Sequence, residues 1–235
     1  MALPFFFEDE IPDNGSFYLS EASSKHISQV LRMKEGEQIL TTNGKGYSFL
    51  SEVVSANKKW TEVKIIKREF LPRGKTKITI AISLIKNKTR FEWFVEKATE
   101  IGVSAIIPLI CKRTESIHFR KQRMMSIITS AMLQSRQVWL PELSEPIKMS
   151  DVIETQDCDK KFIAHCLEAE KTELRLDSVQ SSDSKIILIG PEGDFAEDEI
   201  QSAIQHNYKP VTLGETRLRT ETAGIVAAVL LKSSK

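Results

Sequence analysis

Residues 185–231 read KIILIGPEGDFAEDEIQSAIQHNYKPVTLGETRLRTETAGIVAAVLL and contain two successive strand–loop–helix units. Two short apolar runs, at residues 186–189 and 211–213, each end in a glycine that leads through a polar segment into a helical pattern. In open α/β sheets, ligands bind where loops leave the carboxyl ends of strands. The two loops of this stretch are therefore the first places to look for a binding site.

The first loop combines two glycines with a proline and several acids. Gly190 and Gly193 permit a tight turn and a close backbone approach to a ligand, and Pro191 stiffens the turn. We expect Asp194 to cap a helix over residues 196–206, whose first turn is rich in acids that suit the helix dipole. This concentration of negative charge argues against a phosphate ligand and tolerates a ligand with a positive centre.

The second loop places two arginines before a strongly apolar helix. Arg217 and Arg219 precede residues 223–231, which are so apolar that we expect them to be buried, partly against another subunit. Arginines beside a buried helix are costly unless they have partners, and Glu215 and Glu221 are the nearest candidates. Alternatively, the arginines serve a ligand.

The preceding residues, from 77 onward, alternate between strand and helix patterns. Residues 78–85 form a near-continuous apolar run of the kind found in sheets that are covered on both faces. Further strands are predicted over residues 105–110 and 161–166, and helices over 90–101 and 116–137. This alternation predicts a mostly parallel α/β domain.

The first 70 residues have a different pattern, with short strands broken by turn signals. Strands are predicted over residues 17–19, 37–41, 47–55 and 61–70, with one helix over 21–33 and a hairpin at Asn43-Gly44. Such a pattern suggests a small β-barrel, and residues 71–75 read as a linker. We therefore predict one domain at residues 1–72 and a second at 73–235.

Composition indicates an ordinary globular protein with an uneven charge distribution. The 235 residues include three cysteines, an odd number that does not suggest a disulfide framework, so we expect a reducing cytoplasm. Neither a signal peptide nor an apolar run long enough to cross a membrane is seen in the sequence. Residues 75–125 hold 11 basic and 4 acidic residues, whereas the whole chain has a formal net charge of +1. A basic segment of this kind favours a polyanionic partner such as nucleic acid, although a solvated surface is the plain alternative.

Several kinds of site are missing from the sequence. There is no GxGxxG, no GxxxxGK[ST] and no GxSxG motif, which disfavours an NAD-type enzyme among others. The four histidines have no metal-ligand spacing, so no metal site is predicted. His165 and Cys166 are adjacent in a predicted strand, where neighbours point to opposite faces, so they are not expected to act as a base and nucleophile.

The motifs together resemble a known family. IGPEGDFAEDEI and LGETRLRTETA resemble the paired C-terminal motifs of the bacterial ribosomal RNA small subunit methyltransferase E family. Upstream, KNKTRFE at residues 86–92, VEKATEIGV at 95–103, KRT at 112–114 and the segment from Gln134 to Glu142 resemble other motifs of that family. The resemblance extends over essentially the whole chain.

The resemblance implies a fold and an activity. It implies a SPOUT-type α/β domain with a trefoil knot, preceded by a PUA-like β-barrel that binds RNA. It further implies a cytoplasmic homodimer that uses S-adenosylmethionine, without a metal, to methylate N3 of a uridine in small-subunit rRNA, within the assembled 30S subunit. The cationic sulfonium of that cofactor suits the acidic first loop, and the basic segment suits rRNA phosphates.

Particular residues follow from the resemblance and from the chemistry. The three cofactor loops contain Leu167, Ile189, Gly190, Pro191, Glu192, Gly193, Leu213, Gly214, Leu218 and Arg219. RNA phosphates are assigned to Lys86, Lys88, Arg90, Arg113 and Arg32. A guanidinium can stabilise the anion that develops on uridine, so Arg219 is the first catalytic candidate and Arg136 the second, with Glu221 orienting the arginine.

This sequence departs from the family pattern at several positions. Asp194 replaces a second glycine, and Glu215-Thr216 stand where a basic residue is common. Leu133 and Gln137 occupy positions of a glutamate and an arginine, which is why Arg136 is considered as a substitute. Two other functions stay open at this stage: a knotted methyltransferase that acts on tRNA, and a non-catalytic RNA-binding protein.

Overall fold

The structure is a computed structural model that describes residues 3–167, 170–174 and 184–233. The chain forms two compact units, Met1–Arg73 with Met132–Leu140 and Gly74–Ala131 with Pro141–Lys235. The return of residues 132–140 to the first unit has no counterpart in the sequence pattern. It is held there by backbone pairing, in which the Gly46 N–H donates to the Val138 carbonyl (2.9 Å).

The first unit is a five-stranded sheet with one helical segment. The strands pair in the order β1-β3-β4-β5-β2, and only β1 and β3 run parallel. In chain order the elements are β1 (Phe5–Phe7), β2 (Ser16–Tyr18), α1 (Glu21–Lys25), β3 (Gln38–Thr42), β4 (Tyr47–Ala56) and β5 (Thr61–Phe70). Phe6 of β1 and Phe17 of β2 pack against the same apolar core, so the sheet curls until its two edge strands share one interior.

Two local features of this unit can be compared with the sequence predictions. The predicted hairpin at Asn43-Gly44 is present, and Gly44 and Gly46 have φ angles of +70° and +92° between β3 and β4. The predicted helix is shorter and less regular than expected. After α1 it widens into a π-helical segment, His26–Leu31, and ends at Arg32, whose left-handed φ of 53° cannot continue a helix.

The second unit is a parallel sheet flanked by helices. Its strands are β6 (Ile78–Ser83), β7 (Ala105–Ile110), β8 (Glu142–Leu143), β9 (Ile147–Lys148), β10 (Lys160–Ala164), β11 (Thr172–Glu173), β12 (Lys185–Ile189) and β13 (Lys209–Thr212). Its helices are α2 (Lys88–Ile101), α3 (Lys121–Gln134), α4 (Met149–Thr155), α5 (Glu197–Gln205) and α6 (Thr220–Ser233). The main strand order is β11-β13-β10-β12-β6-β7-β8, with β9 also on β7, and the pairings are parallel.

The central strands of this sheet are buried on both faces, as their apolar sequences predict. All five residues of β12 are buried, and it lies between β10 and β6. Lys185 begins this strand with no exposed surface, and its ammonium donates to the Leu231 carbonyl at the C-terminal end of α6 (3.2 Å). This bond places a positive charge at the negative end of the helix dipole, which lowers the cost of burying the lysine.

The predicted helices are present with shifted bounds. The Asn87 side chain accepts from the Arg90 N–H at the start of α2, and Gly102, at φ +88°, ends the helix as expected. α3 begins at Lys121 rather than at residue 116, because Phe119 packs edge-on against Phe91 in an irregular segment. None of the helices in the described ranges has the length and apolar character needed to cross a bilayer.

Candidate functional site

Two adjoining cavities lie at the carboxyl ends of β10, β12 and β13, in the second unit. The first, of about 350 Å³, is bounded by the ends of β10 and β12 and by the start of α6. The second, of about 260 Å³, is bounded by the ends of β10 and β13 and by residues 213–218. The walls of both include Ala164, Cys166, Arg217, Leu218 and Ala223. This is the edge of the sheet at which parallel α/β folds bind ligands.

The turn after β12 depends on Gly190 and Asp194. A Cβ atom on Gly190 would lie 3.1 Å from the buried ring of Phe195 and 3.2 Å from its backbone nitrogen, so only glycine fits without displacement. Asp194 has a left-handed φ of 63°, which is unusual for a residue other than glycine. Its carboxylate accepts from the Cys166 N–H and from the Phe195 N–H, each at 2.8 Å. Asp194 therefore ties the loop after β10 to the turn after β12.

This arrangement corrects the expectation that Asp194 caps the following helix. The residue at the N-cap of α5 is Ala196, and the Glu199 carboxylate accepts from its N–H at 2.8 Å. The reason is the left-handed backbone of Asp194, which directs the carboxylate towards the loop after β10 as well as to its own neighbour. The acids of the first helical turn are present as predicted, at positions 197, 198 and 199.

Other side chains brace the same turn. The Arg113 guanidinium donates to the carbonyls of Gly193 (2.8 Å) and Phe195 (3.3 Å). The Lys86 N–H donates to the carboxylate of Glu192 (3.2 Å), which joins the loop after β6 to the turn. From the other side, the buried Thr220 hydroxyl donates to the Gly190 carbonyl at 3.0 Å. The turn is thus fixed by three segments that are distant in sequence.

The arginines of the second loop are not paired with Glu215 or Glu221, the two candidate partners. Within the described ranges, the guanidinium groups of Arg217 and Arg219 make no hydrogen bond or ion pair, and both residues line the first cavity. Glu221 is buried and pairs with Arg90 instead, with Oε1 3.6 Å from Nε. The first cavity therefore has two uncommitted positive charges beside a buried carboxylate that Arg90 already balances.

His165 lines the second cavity without a partner for its ring. It is only 7% exposed, and both imidazole nitrogens are buried without a hydrogen-bond partner among the described residues. Burial lowers the pKa of His165, and the nearby Lys171 ammonium lowers it further, while the Asp194 carboxylate acts in the opposite direction. Unpaired buried nitrogens are costly, so the ring of His165 lowers the stability of this wall.

The structure brings most of the predicted cofactor residues together. Ile189, Gly190, Pro191, Glu192, Leu218 and Arg219 line the first cavity, and Leu213, Gly214 and Leu218 line the second. Gly193 and Leu167 lie on the predicted loops but line neither cavity. Cys166, Asp194, Lys171 and Thr220 also line the cavities but were not predicted as site residues from the sequence. Cys166, Asp194 and Thr220 are direct sequence neighbours of predicted loop residues, and this was the only signal that could have indicated them.

The remaining predicted residues are distributed between the two units. In the second unit, Lys86 pairs with Glu115 (3.2 Å), while Lys88 is exposed and has no partner in the described part of the chain. Arg136 and Arg32 belong to the first unit. Arg136 has a left-handed φ of 57°, and its guanidinium donates to the Leu3 carbonyl (3.0 Å). Within residues 3–167, 170–174 and 184–233, no cluster of histidine, cysteine and acidic side chains is suited to hold a metal ion.

Family models match most of the chain. A model described as an RNA methyltransferase domain matches residues 72–232, and one described as an RNA methyltransferase PUA domain matches residues 19–66. The ribosomal RNA small subunit methyltransferase E of Mesomycoplasma hyopneumoniae is 30% identical over an alignment that covers 94% of this chain and 95% of that protein.

Solved structures agree with this assignment. A probable rRNA methyltransferase from Porphyromonas gingivalis is 34% identical, with a TM-score of 0.90 and coverage of 96% of this chain and 95% of that one. The ribosomal RNA small subunit methyltransferase E from Neisseria gonorrhoeae, bound to S-adenosyl methionine, is 27% identical, with a TM-score of 0.85 and coverage of 97% and 95%. The mostly parallel α/β fold, the preceding PUA-like domain and the motifs therefore lead to one conclusion: the chain belongs to the RNA methyltransferases of the ribosomal RNA small subunit methyltransferase E family.

Proposed function

We propose that this protein transfers a methyl group from S-adenosylmethionine to N3 of a uridine in small-subunit rRNA. The observation that carries the proposal is the first cavity, where Arg219 is uncommitted next to a turn built for close backbone approach. The family relationship supports the rRNA substrate, and the relative from Neisseria gonorrhoeae was crystallised with S-adenosyl methionine.

The residues of the two cavities fit S-adenosylmethionine. The molecule has a cationic sulfonium, and the walls include the carboxylates of Glu192, Asp194 and Glu221. It also has an adenine ring with several hydrogen-bonding groups, which we assign to the second cavity. We assign its binding to the backbone of residues 189–193 and 213–218, with Leu167 at the loop after β10. When bound, S-adenosylmethionine supplies an electrophilic methyl group.

Arg219 is the proposed catalytic residue. Uridine N3–H is a weak acid, so the reaction needs stabilisation of the negative charge that develops on N3, O2 and O4. A planar guanidinium donates directional hydrogen bonds to such oxygens and stays charged. Because Arg219 makes no hydrogen bond or ion pair among the described residues, its donors are available to the substrate. Ile189, Pro191 and Leu218 supply apolar surface beside the charged groups of this cavity.

Glu221 and Arg136 have supporting roles in the proposal. Glu221 holds Arg90 at the edge of the cavity, so we propose that it orients Arg90 rather than Arg219. Arg136 stays the second catalytic candidate on the strength of the family resemblance. RNA phosphates are assigned to Lys86, Lys88, Arg90, Arg113 and Arg32, although one nitrogen of Arg113 is already engaged by the turn after β12. The proposal includes a homodimer, a cytoplasmic location, the assembled 30S subunit as substrate and a trefoil knot in the second unit.

Calorimetry and methyl-transfer assays test the proposal. Titration with S-adenosylmethionine should show binding, and labelled methyl groups should pass to small ribosomal subunits that lack the modification. Transfer to tRNA alone would establish the tRNA alternative instead. RNA binding without any cofactor binding would leave a non-catalytic RNA-binding protein and refute the enzyme assignment.

A further inference from the structure

A third cavity, of about 230 Å³, lies elsewhere on the second unit. It is formed where the chain leaves β6, by the first two turns of α2, the irregular residues 118–120 and the start of α3. None of its lining residues belongs to the walls of the two cavities described above. Apart from Lys88, which is assigned to RNA phosphates above, its lining residues have no role in the proposed methyl transfer.

The interior of this third cavity is apolar and partly aromatic. Leu84, Ile85, Phe91 and Met124 are buried and form its apolar lining. The half-buried ring of Phe119 stands edge-on to Phe91, with centroids 6.3 Å apart and an interplanar angle of 85°. The ring of Phe119 therefore lies next to an apolar surface. A planar ligand ring packs well against such an aromatic side chain.

The rim of the third cavity is positively charged. Lys88 is exposed and has no partner in the described ranges, and the only hydrogen bond of the Arg120 guanidinium there runs from Nε to His118 Nε2 (3.2 Å). Arg123 is paired with Glu92 through two bonds of 3.2 and 2.8 Å, and this pairing, together with the nearby charge of Arg120, lowers the pKa of Glu92. Lys88, Arg120 and Arg123 face a single carboxylate, Glu92, so positive charge is in excess at the rim. An apolar, aromatic interior with an excess of positive charge at its rim suits a planar ring that carries negative charge beside it.

The third cavity and the first cavity are joined by a short piece of chain. Lys88 lines the third cavity and Arg90 lines the first, two residues apart at the start of α2. Just before them, the Lys86 N–H is bonded to Glu192 of the turn after β12. The two cavities therefore adjoin the same first turn of α2, and a strand of RNA that passes around this turn from the first cavity meets an aromatic pocket.

We propose that the third cavity binds a nucleobase of the rRNA strand that flanks the methylated uridine, with its phosphates on Lys88 and Arg120. This inference rests on the proposed function, since it needs rRNA in the first cavity. Stacking on an aromatic ring combined with basic side chains along the backbone is the general mode of single-stranded RNA binding. An uncharged small ligand would use the apolar interior but would give no role to the excess positive charge at the rim.

Two substitutions test the third cavity against matched controls. Phe119→Leu keeps an apolar side chain against Phe91 but removes the stacking surface, and Arg120→Ala removes one phosphate contact. Each should raise the KM for unmodified small subunits about tenfold, since loss of a stacked base or a phosphate contact weakens binding by that order. The controls are Trp93→Leu, an exposed aromatic of α2 outside the cavity, and Lys209→Ala, an exposed lysine of β13 outside both the cavity and the basic segment. Both controls should keep the parent KM.

Cofactor affinity and cross-linking distinguish a failure of this inference from a failure of the proposed function. If Phe119→Leu and Arg120→Ala methylate small subunits with the parent KM, the inference is overturned while the proposed function stands. A matching loss of S-adenosylmethionine affinity would also overturn it, because the cavity would then act through the fold. If the parent protein methylates no rRNA, both proposals fail. Photo-cross-linking with 4-thiouridine-substituted rRNA should label the tryptic peptide of residues 114–120, and labels only on other peptides would contradict the inference.

Discussion

Arg219 is the residue on which the proposed chemistry depends. Replacing it by alanine removes the guanidinium from the first cavity, so methyl transfer should fall by about 10²–10³, the usual loss for one preorganised donor. The dissociation constant for S-adenosylmethionine should stay close to that of the parent. Arg219→Lys keeps the charge but loses the planar fork, and we expect it to recover only part of the rate. Calorimetry and single-turnover assays give both quantities.

The outcome of this experiment separates catalysis from binding. An equal loss of cofactor affinity and rate in Arg219→Ala would make Arg219 a binding residue and would contradict the catalytic assignment. A rate unchanged from the parent would move attention to Arg136, the second candidate.

His165 gives the protein a testable dependence on pH. Because burial lowers its pKa in the folded state, the unfolded chain binds a proton more readily once the pH falls below about 6.5, the ordinary value. The free energy of unfolding should therefore decrease as the pH falls through that value. His165→Gln should reduce this decrease, as measured by urea unfolding at pH 7.5 and pH 5.5. The same pH dependence in parent and variant would show that His165 is not the group responsible.

The site was only partly predictable from single residues. The glycines of the two loops and Pro191 indicated a binding edge, because their backbone requirements can be read without tertiary information. The role of Asp194 could not be read in this way, since its partner is the Cys166 N–H, 28 positions earlier. In the same manner, the partner of Glu221 proved to be Arg90 rather than a neighbouring arginine.

At the scale of elements, the packing of α6 against the sheet depends on Gly224. A Cβ atom there would lie 2.6 Å from the Phe94 ring of α2 and 2.9 Å from Ile82 of β6, both of which are fully buried. Alanine gains about 1 kcal/mol of helix propensity, but overpacking of this kind costs about 1–3 kcal/mol. We therefore expect Gly224→Ala to lower the free energy of unfolding, by about 1 kcal/mol, in urea titrations.

Gly193 supplies the control for that substitution. A Cβ atom on Gly193 would lie 3.5 Å from the Arg113 side chain, an ordinary contact distance, and its φ is not in the left-handed region. Gly193→Ala should therefore change the free energy of unfolding by less than about 0.5 kcal/mol. A Gly224→Ala variant as stable as the parent would show that α6 can move away from α2 at little cost.

The long elements were predictable and the short ones were not. The buried strands β6, β7 and β12 can be recognised in the sequence as uninterrupted apolar runs, because both of their faces are covered. β8, β9 and β11 have two residues each, which is too short for any periodicity to appear. The early part of the predicted α3 was wrong because the contact between Phe119 and Phe91 overrides local helix preference.

For the whole molecule, the sequence indicated a β-rich first part and an α/β second part, but it did not indicate that residues 132–140 return to the first unit. The change of pattern near residue 75 reflects a real change from a mostly antiparallel to a parallel sheet. Residues 132–140 join the first unit through contacts such as the bond from Trp139 Nε1 to the Leu71 carbonyl (2.9 Å). A contact between residues so far apart leaves no local signal. The domain limits 1–72 and 73–235 and the knot stay predictions.

The exposed apolar surface of α6 bears on the proposed homodimer. Val229 is 44% exposed, and Ile225, Val226 and Leu230 are half-buried, although the helix is strongly apolar. Light scattering should give twice the 26.6 kDa of one chain, and Val229→Asp should reduce it to a single chain. Val54→Asp, at a valine of β4 that is 39% exposed, should leave the dimer intact. A Val229→Asp protein that stays dimeric would exclude this face as the interface.

Mass spectrometry of small-subunit rRNA can show whether this protein methylates one uridine at N3. Small-subunit rRNA would be isolated from a strain that lacks the gene, from the same strain supplied with the gene, and from that strain supplied with Arg219→Ala. We expect one N3-methyluridine that is absent without the gene, restored by the parent protein and not restored by Arg219→Ala. Identical nucleoside profiles with and without the gene, or a lost methyl group in tRNA instead, would contradict the proposed methylation.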